Sequence, residues 1–186
     1  MRTLAITQNI TVDGSIEFLG DWFDPGDQDE QLLEESRLQT ERSDALLLGR
    51  QTFEDFRGYW PHQTDDTTGI TDELNQVHKY VVSTTLTDPQ WQSSTILSGD
   101  WLGHVHDLKD QPGGDIVVTG SIRLCHALIT AGLVDEYRLF VHPVVQGRGR
   151  RLFPDGYEIP KLRTVHSKAY RTGVTLLHYA ALLAGR

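Results

Sequence analysis

Short apolar runs recur along the chain and predict buried β-strands. Residues 3–12 alternate between hydrophobic and polar side chains, and the run at 45–48 is entirely apolar before it ends at Gly49. Similar patterns predict strands at 79–83, around Ile96, at 115–119 and at 136–145. Near the C-terminus, the patterns at 162–170 and 174–183 enclose a glycine-containing turn and predict a β-hairpin.

Helical patterns separate the strands. The first is predicted to begin with Asp27 as N-cap, to have Glu30 three residues later and to run to about Arg42. The others are predicted from Thr52 to Phe56 with an end near Pro61, for one turn from a Thr71 cap, from an Asp100 cap to Lys109, and at 122–131. Because strands alternate with helices, we expect one α/β domain over residues 1–186. Its sheet should be mixed and mostly parallel, with helices on both faces and a C-terminal antiparallel hairpin.

Small and polar residues follow three of the predicted strands. These turns are Gly49-Arg50-Gln51-Thr52, Ser83-Thr84-Thr85 and Gly120-Ser121. Ligands of parallel α/β sheets bind beyond the carboxyl ends of the strands, and the free amides at a helix start favour an anion. Each turn alone could simply cap a helix. Three of them at one edge indicate a shared ligand with several phosphates, hence a dinucleotide.

Three other features of the sequence are weaker. Asp27, Asp29 and Glu30 precede the first helix, where capping is the simpler role and proton donation to a substrate is the alternative. The segment 147–152 begins like a dinucleotide-binding G-x-G-x-x-G motif, but no helical pattern follows it. Residues 157–161 have a Tyr-x-x-x-Lys spacing that a proline interrupts, so they cannot form the required helix.

Composition excludes several classes of protein and site. The net charge is −9, which argues against binding to nucleic acid or to an anionic membrane. A single cysteine, Cys125, permits no intrachain disulfide and no zinc site built on several thiolates. The eight histidines form no convincing metal set. Without an apolar run of ~20 residues or a signal-peptide pattern, we expect a cytoplasmic protein.

Four segments occur in an order typical of a known family: LLLGRQTFEDFRGYWP, KYVVSTTL, DIVVTGS and AGLVDEYRLFVHPVVQGRGRRLF. Over about residues 3–183 they resemble the dihydrofolate-reductase-like family that includes the reductase domain of the riboflavin-biosynthesis deaminase/reductase. The resemblance implies NADPH as hydride donor, a small-molecule substrate and commonly a homodimer. The zinc signature of the deaminase half does not occur in this chain.

The resemblance also implies roles for individual residues. The residues implied to bind the cofactor are Gly49, Arg50 and Thr52 at the 2′-phosphate side, Ser83 and Thr84 near the adenosine, and Gly120, Ser121 and Ile122 at the pyrophosphate, with a cis peptide at 120–121. Thr11 and Asp13 are implied to lie beside the nicotinamide and substrate. We further predict that Trp22 forms a wall of the substrate cleft together with Asp27 or Asp29, either of which could serve in catalysis.

Two functions are compatible with this sequence. The first is an NADPH-dependent reductase that transfers a hydride to a C=N or C=O bond of a pteridine, pyrimidine or ribosylamino-type substrate. It would be similar to 5-amino-6-(5-phosphoribosylamino)uracil reductase. The alternative is a non-catalytic nucleotide- or ligand-binding relative on the same scaffold, since a fold does not determine a function.

Overall fold

A computed structural model describes residues 1–23, 30–159 and 161–182. Its helices are α1 Glu30–Glu41, α2 Arg50–Tyr59, α3 Ile70–Gln76, α4 Trp101–Asp110 and α5 Ile122–Thr130, with a 3-10 turn at Trp60–His62. Its strands are β1 Leu4–Thr11, β2 Ser43–Gly49, β3 His78–Val82, β4 Ser94–Leu97, β5 Asp115–Val118, β6 Glu136–His142, β7 Leu162–Ala169 and β8 Thr175–Ala181.

All eight strands form one sheet in the order β4-β3-β2-β5-β1-β6-β8-β7. The pairs from β4 through β6 are parallel, whereas β8 is antiparallel to both β6 and β7. Helices α4 and α5 pack on one face against the largest core cluster, and α1, α2 and α3 pack on the other. The predicted fold class is therefore confirmed: a mixed, mostly parallel sheet, helices on both faces and a C-terminal hairpin. Within the described ranges, no helix is both long and apolar enough to span a membrane.

Most predicted boundaries lie within one or two residues of the observed ones, and three differences have a clear description. Helix α3 is longer than one turn, and Gly69 is its N-cap, so Thr71 lies inside the helix. Strand β6 ends at His142 rather than 145, because Pro143 follows and has no N–H group for a ladder. Helix α2 begins at Arg50, directly after the strand. The Asp100 cap is confirmed, since its carboxylate accepts the Gly103 N–H.

Candidate functional site

The three turns lie at the carboxyl ends of β3, β2 and β5, which are neighbours in the sheet. We call residues 49–52, 83–85 and 120–121 the turn cluster. Two hydrogen bonds join the turns after β2 and β5. The Gly49 N–H donates to Ser121 Oγ (2.9 Å), and the Ser121 N–H donates to Thr52 Oγ1 (2.9 Å). Helices α2 and α5 therefore begin side by side at this edge.

Gly120 occupies a position that only glycine fits well. Its φ is +57°, and an added Cβ would lie 2.9 Å from Thr52 Cγ2. The Gln8 amide fixes its peptide groups from β1, donating to Gly120 O (2.8 Å) and accepting from Gly120 N (3.2 Å). The close approach of α2 and the left-handed backbone thus both require a residue without a side chain.

The structure corrects two expectations for this turn. No peptide bond is cis in the part of the chain that the structure describes, so the implied cis bond at 120–121 is absent. The Ser121 N–H, expected to face a pyrophosphate, donates to Thr52 instead. Ser121 also does not cap its own helix, because its Oγ accepts from Gly49. The amides of α5 that can meet an anion thus begin at Ile122, since the first amides of a helix have no acceptor within it.

The other members of the turn cluster differ in how they are engaged. Arg50 pairs with Glu54 one helical turn later (2.7 Å), and its side chain is 45% exposed. Ser83 Oγ accepts from the amides of Thr85 (3.2 Å) and Leu86 (2.9 Å), so it shapes its own turn. Thr84 is exposed. Arg50, Gln51, Thr84 and Thr85 are the exposed members of the cluster, and of these Arg50 carries a positive charge.

A cleft of about 300 Å³ opens beside the turn cluster, on the face of the sheet that α1 covers. Its lining residues are Thr7, Gln8, Asn9, Trp22, Phe23, Leu32, Ser36, Thr119, Phe140, His142, Pro143, Val144, Thr172 and Val174. Thr119 directly precedes Gly120, and Gln8 holds Gly120 in place. The cleft and the turn cluster therefore lie next to each other at this edge of the sheet.

His142 and Asn9 provide a polar pair inside this cleft. His142 Nε2 lies 3.0 Å from Asn9 Oδ1, and the imidazole meets the rings of Trp22 and Phe23 edge-on. Burial lowers the pKa of His142, so the imidazole is neutral at pH 7. Thr7 contributes a buried hydroxyl without a hydrogen-bond partner. These groups can bond a polar atom of a ligand without adding charge.

Thr11 and Asp13 organise a loop rather than line the cleft. The Asp13 carboxylate accepts from Thr11 Oγ1 (2.6 Å) and from the amides of Gln146 (3.1 Å) and Gly147 (2.8 Å). The hydrogen bond from Thr11 and those from the two amides lower the pKa of Asp13 to about 2. The carboxylate is thus occupied in joining the first loop to the segment after β6.

Trp22 lies in the cleft wall, and Gln146 holds it there. The indole Nε1–H donates to Gln146 Oε1 (2.7 Å), while Gln146 Nε2 donates to Ser15 Oγ (2.8 Å). The arginine-rich segment nearby is also committed to this first loop, since Arg150 donates to Glu17 (2.6 Å). Asp27 and Asp29, the predicted catalytic carboxylates, lie outside the described residues.

Sequence reasoning missed Asn9, His142 and Gln146. By the alternation of β6, His142 shares a sheet face with Phe140. The pairing of β1 with β6, which puts Thr11 opposite His142, could not be obtained from the pattern. Within the described ranges, no group of three or more His, Cys, Asp or Glu side chains could hold a metal ion.

Comparison with known proteins places this architecture in a family. The model of the RibD C-terminal domain matches residues 2–176. A Bacillus subtilis (strain 168) protein, YyaP, described as uncharacterized, is 34% identical over 138 residues, which are 73% of each chain. A putative riboflavin biosynthesis protein from Shewanella sp. PV-4 superposes with a TM-score of 0.72 at 19% identity, covering 96% of this chain and 98% of its own. A pyrimidine reductase-like protein from Corynebacterium diphtheriae superposes with a TM-score of 0.70 at 13% identity, covering 97% and 92%. Because the family model matches nearly the whole length of the chain, the chain belongs to the RibD C-terminal domain family.

Proposed function

We propose that this protein is an NADPH-dependent reductase. The observation that carries the proposal is that the turn cluster and an aromatic cleft lie next to each other at one edge of the sheet. A dinucleotide laid along this edge would have its phosphates at the starts of α2 and α5, where helix dipoles favour anions. Its nicotinamide would reach the cleft beside Thr119. The family supports this, as do the two structural relatives named for riboflavin biosynthesis and pyrimidine reduction.

In the proposed reaction, the protein positions two ligands. When bound, NADPH would supply a hydride to a C=N or C=O carbon of the acceptor, and the heteroatom would take up a proton from solvent. Trp22 and Phe23 pack on the acceptor ring and exclude water. His142, neutral and bonded to Asn9, engages the acceptor through its other ring nitrogen. Arg50 lies at the cofactor end, where a 2′-phosphate distinguishes NADPH from NADH.

The proposal is tested by following the loss of dihydronicotinamide absorbance with NADPH and a panel of cyclic imines, ketones and pyrimidines. We expect oxidation of NADPH that depends on both the acceptor and the protein. The second candidate, a ligand-binding protein without catalysis, predicts that NADPH binds and that no acceptor in the panel causes its oxidation. Absence of both binding and oxidation would reject the reductase.

A further inference from the structure

The described residues of the cleft wall carry no charged side chain, which restricts the charge of the acceptor that can bind there. Among the described residues that line the cleft, none is Asp, Glu, Lys or Arg, and His142 is the sole titratable side chain. Its pKa is lowered by burial, which keeps it uncharged at pH 7. The remaining lining side chains are aromatic, aliphatic, hydroxyl or amide groups. From the described lining residues, a ligand in this wall meets hydrogen-bonding groups and rings, but no counter-ion.

We infer that the acceptor reduced in this cleft is an uncharged planar ring that carries no phosphate, an inference that rests on the proposed reductase function. Trp22, Phe23 and Phe140 offer ring surfaces to such a molecule, and a volume of about 300 Å³ lies at the small end of ligand pockets. Thr7 also lines the cleft, and its buried Oγ1 has no hydrogen-bond partner among the described residues. Reduction then moves a hydride from the dihydronicotinamide to a ring carbon and a proton to its heteroatom, leaving NADP⁺.

Two basic residues near the cleft are not among the described residues that line it. Arg138 is buried on β6 and pairs with Asp115 (2.5 Å) and Glu136 (2.6 Å). Arg37, which follows Ser36 on α1, pairs with Glu34 (2.7 Å) and Glu41 (2.5 Å).

Arg171 is exposed in the hairpin turn and directly precedes Thr172, which lines the cleft. A phosphate transferred from water into this wall would lose its hydration without gaining a cationic partner among the described lining residues, which strongly disfavours binding.

Matched pairs of ligands test the inference. We would titrate uridine against uridine 5′-monophosphate, and 1,2-naphthoquinone against its 4-sulfonate, into the full chain with and without NADP⁺. The expected result is that at least one uncharged member binds and that each anionic member binds at least about tenfold more weakly. Equal or tighter binding of an anionic member, or no binding of either uncharged member, would overturn the inference. Anion binding that is lost in Arg171→Ala would show that Arg171 belongs to the site and would overturn the inference.

A charge introduced into the cleft provides a second, independent test of the preference for an uncharged acceptor. Ser36→Arg places a cation on the α1 wall, and Leu38→Arg places one on the same helix at an exposed position that does not line the cleft. Ser36→Arg should shift the preference toward the anionic member of each pair, while Leu38→Arg should leave it unchanged. NADPH binding is measured separately on every variant. If the protein prefers uncharged rings but does not bind NADPH, the proposed reductase function is rejected and the inferred preference of the cleft is retained.

Discussion

His142 contributes both to the packing of the cleft and to its proposed chemistry. Its imidazole contacts two aromatic rings and Asn9, and burial favours the uncharged form. Protonation would put an imidazolium into a wall that holds no carboxylate among its described residues. The side chain is therefore a hydrogen-bonding group at neutral pH and a source of unfavourable charge in acid.

We predict that His142→Phe lowers kcat/KM for any accepted ring by roughly tenfold. The reason is that phenylalanine cannot form a hydrogen bond, so the bond to Asn9 is lost and the half-buried amide is left unpaired. His142→Gln should retain most activity because an amide can still bond Asn9. Wild-type affinity should be constant at pH 6.5 and above and weaken only below it, since the pKa of His142 is lowered from 6.5. The Gln variant should lack this acid weakening. Steady-state kinetics across pH measure both, and identical profiles for the wild type and the Gln variant would contradict the role of His142.

At the scale of the helix and strand, the turn after β5 depends on glycine for two separate reasons. The backbone is left-handed at Gly120, and Thr52 of α2 leaves no room for a Cβ. Gly132, at the end of α5, has a similar φ of +67° but open space around it. The two positions therefore separate the conformational cost of a side chain from the cost of displacing α2.

We predict that Gly132→Ala lowers the free energy of unfolding by about 1–2 kcal/mol, the penalty for a left-handed non-glycine residue. Gly120→Ala should cost more, because its Cβ would also meet Thr52 Cγ2 at 2.9 Å. Urea unfolding of both variants measures the difference. Equal losses would show that the contact between the two turns contributes nothing.

The pairing of β6 with β8 contains a buried ionic cluster that makes stability depend on pH. Glu136 Oε2 accepts from His178 (2.9 Å) and Arg138 (2.6 Å), and these interactions lower the pKa of Glu136 from 4.5 to about 2. A carboxyl with a lowered folded pKa stabilises the fold above its unfolded pKa. That contribution is lost as the pH falls from 4.5 toward 2.

We predict that Glu136→Gln is less stable than the wild type at pH 7 and that the difference shrinks as the pH falls through this window. The reason is that protonation of the wild-type carboxyl removes the same interaction that the substitution removes. Urea unfolding at pH 7 and in acid tests this. A difference that stays constant across the window would show that Glu136 titrates normally in the folded protein.

The order of the elements was predictable from the sequence because apolar runs and caps are local features. The strand at 45–48 and the Asp100 cap follow from a few adjacent residues. Contacts between distant residues were not predictable in the same way. Gln8 bonds Gly120 and Trp22 bonds Gln146 only because the strand register and a folded loop bring them together.

At the scale of the whole molecule, the sheet ends in an exposed strand. The side chains of β7 are largely exposed, including Val165 at 43%, and such an edge leaves one row of backbone groups unpaired. The family resemblance implies a homodimer, so sedimentation equilibrium should give twice the chain mass of 21.0 kDa. A monomer at micromolar concentration would contradict that prediction.

Titration of the wild-type protein with NADPH and with NADH tests most directly whether the turn cluster is a dinucleotide site. We predict that NADPH binds at least about tenfold more tightly, because a charge-assisted contact with Arg50 is worth ~1.5–3 kcal/mol. Arg50→Ala should abolish this preference and leave NADH binding unchanged, whereas Arg163→Ala on the distant strand β7 should change neither. Failure of both nucleotides to bind, or an equal loss of both in Arg50→Ala, would contradict the assignment of this edge of the sheet to NADPH.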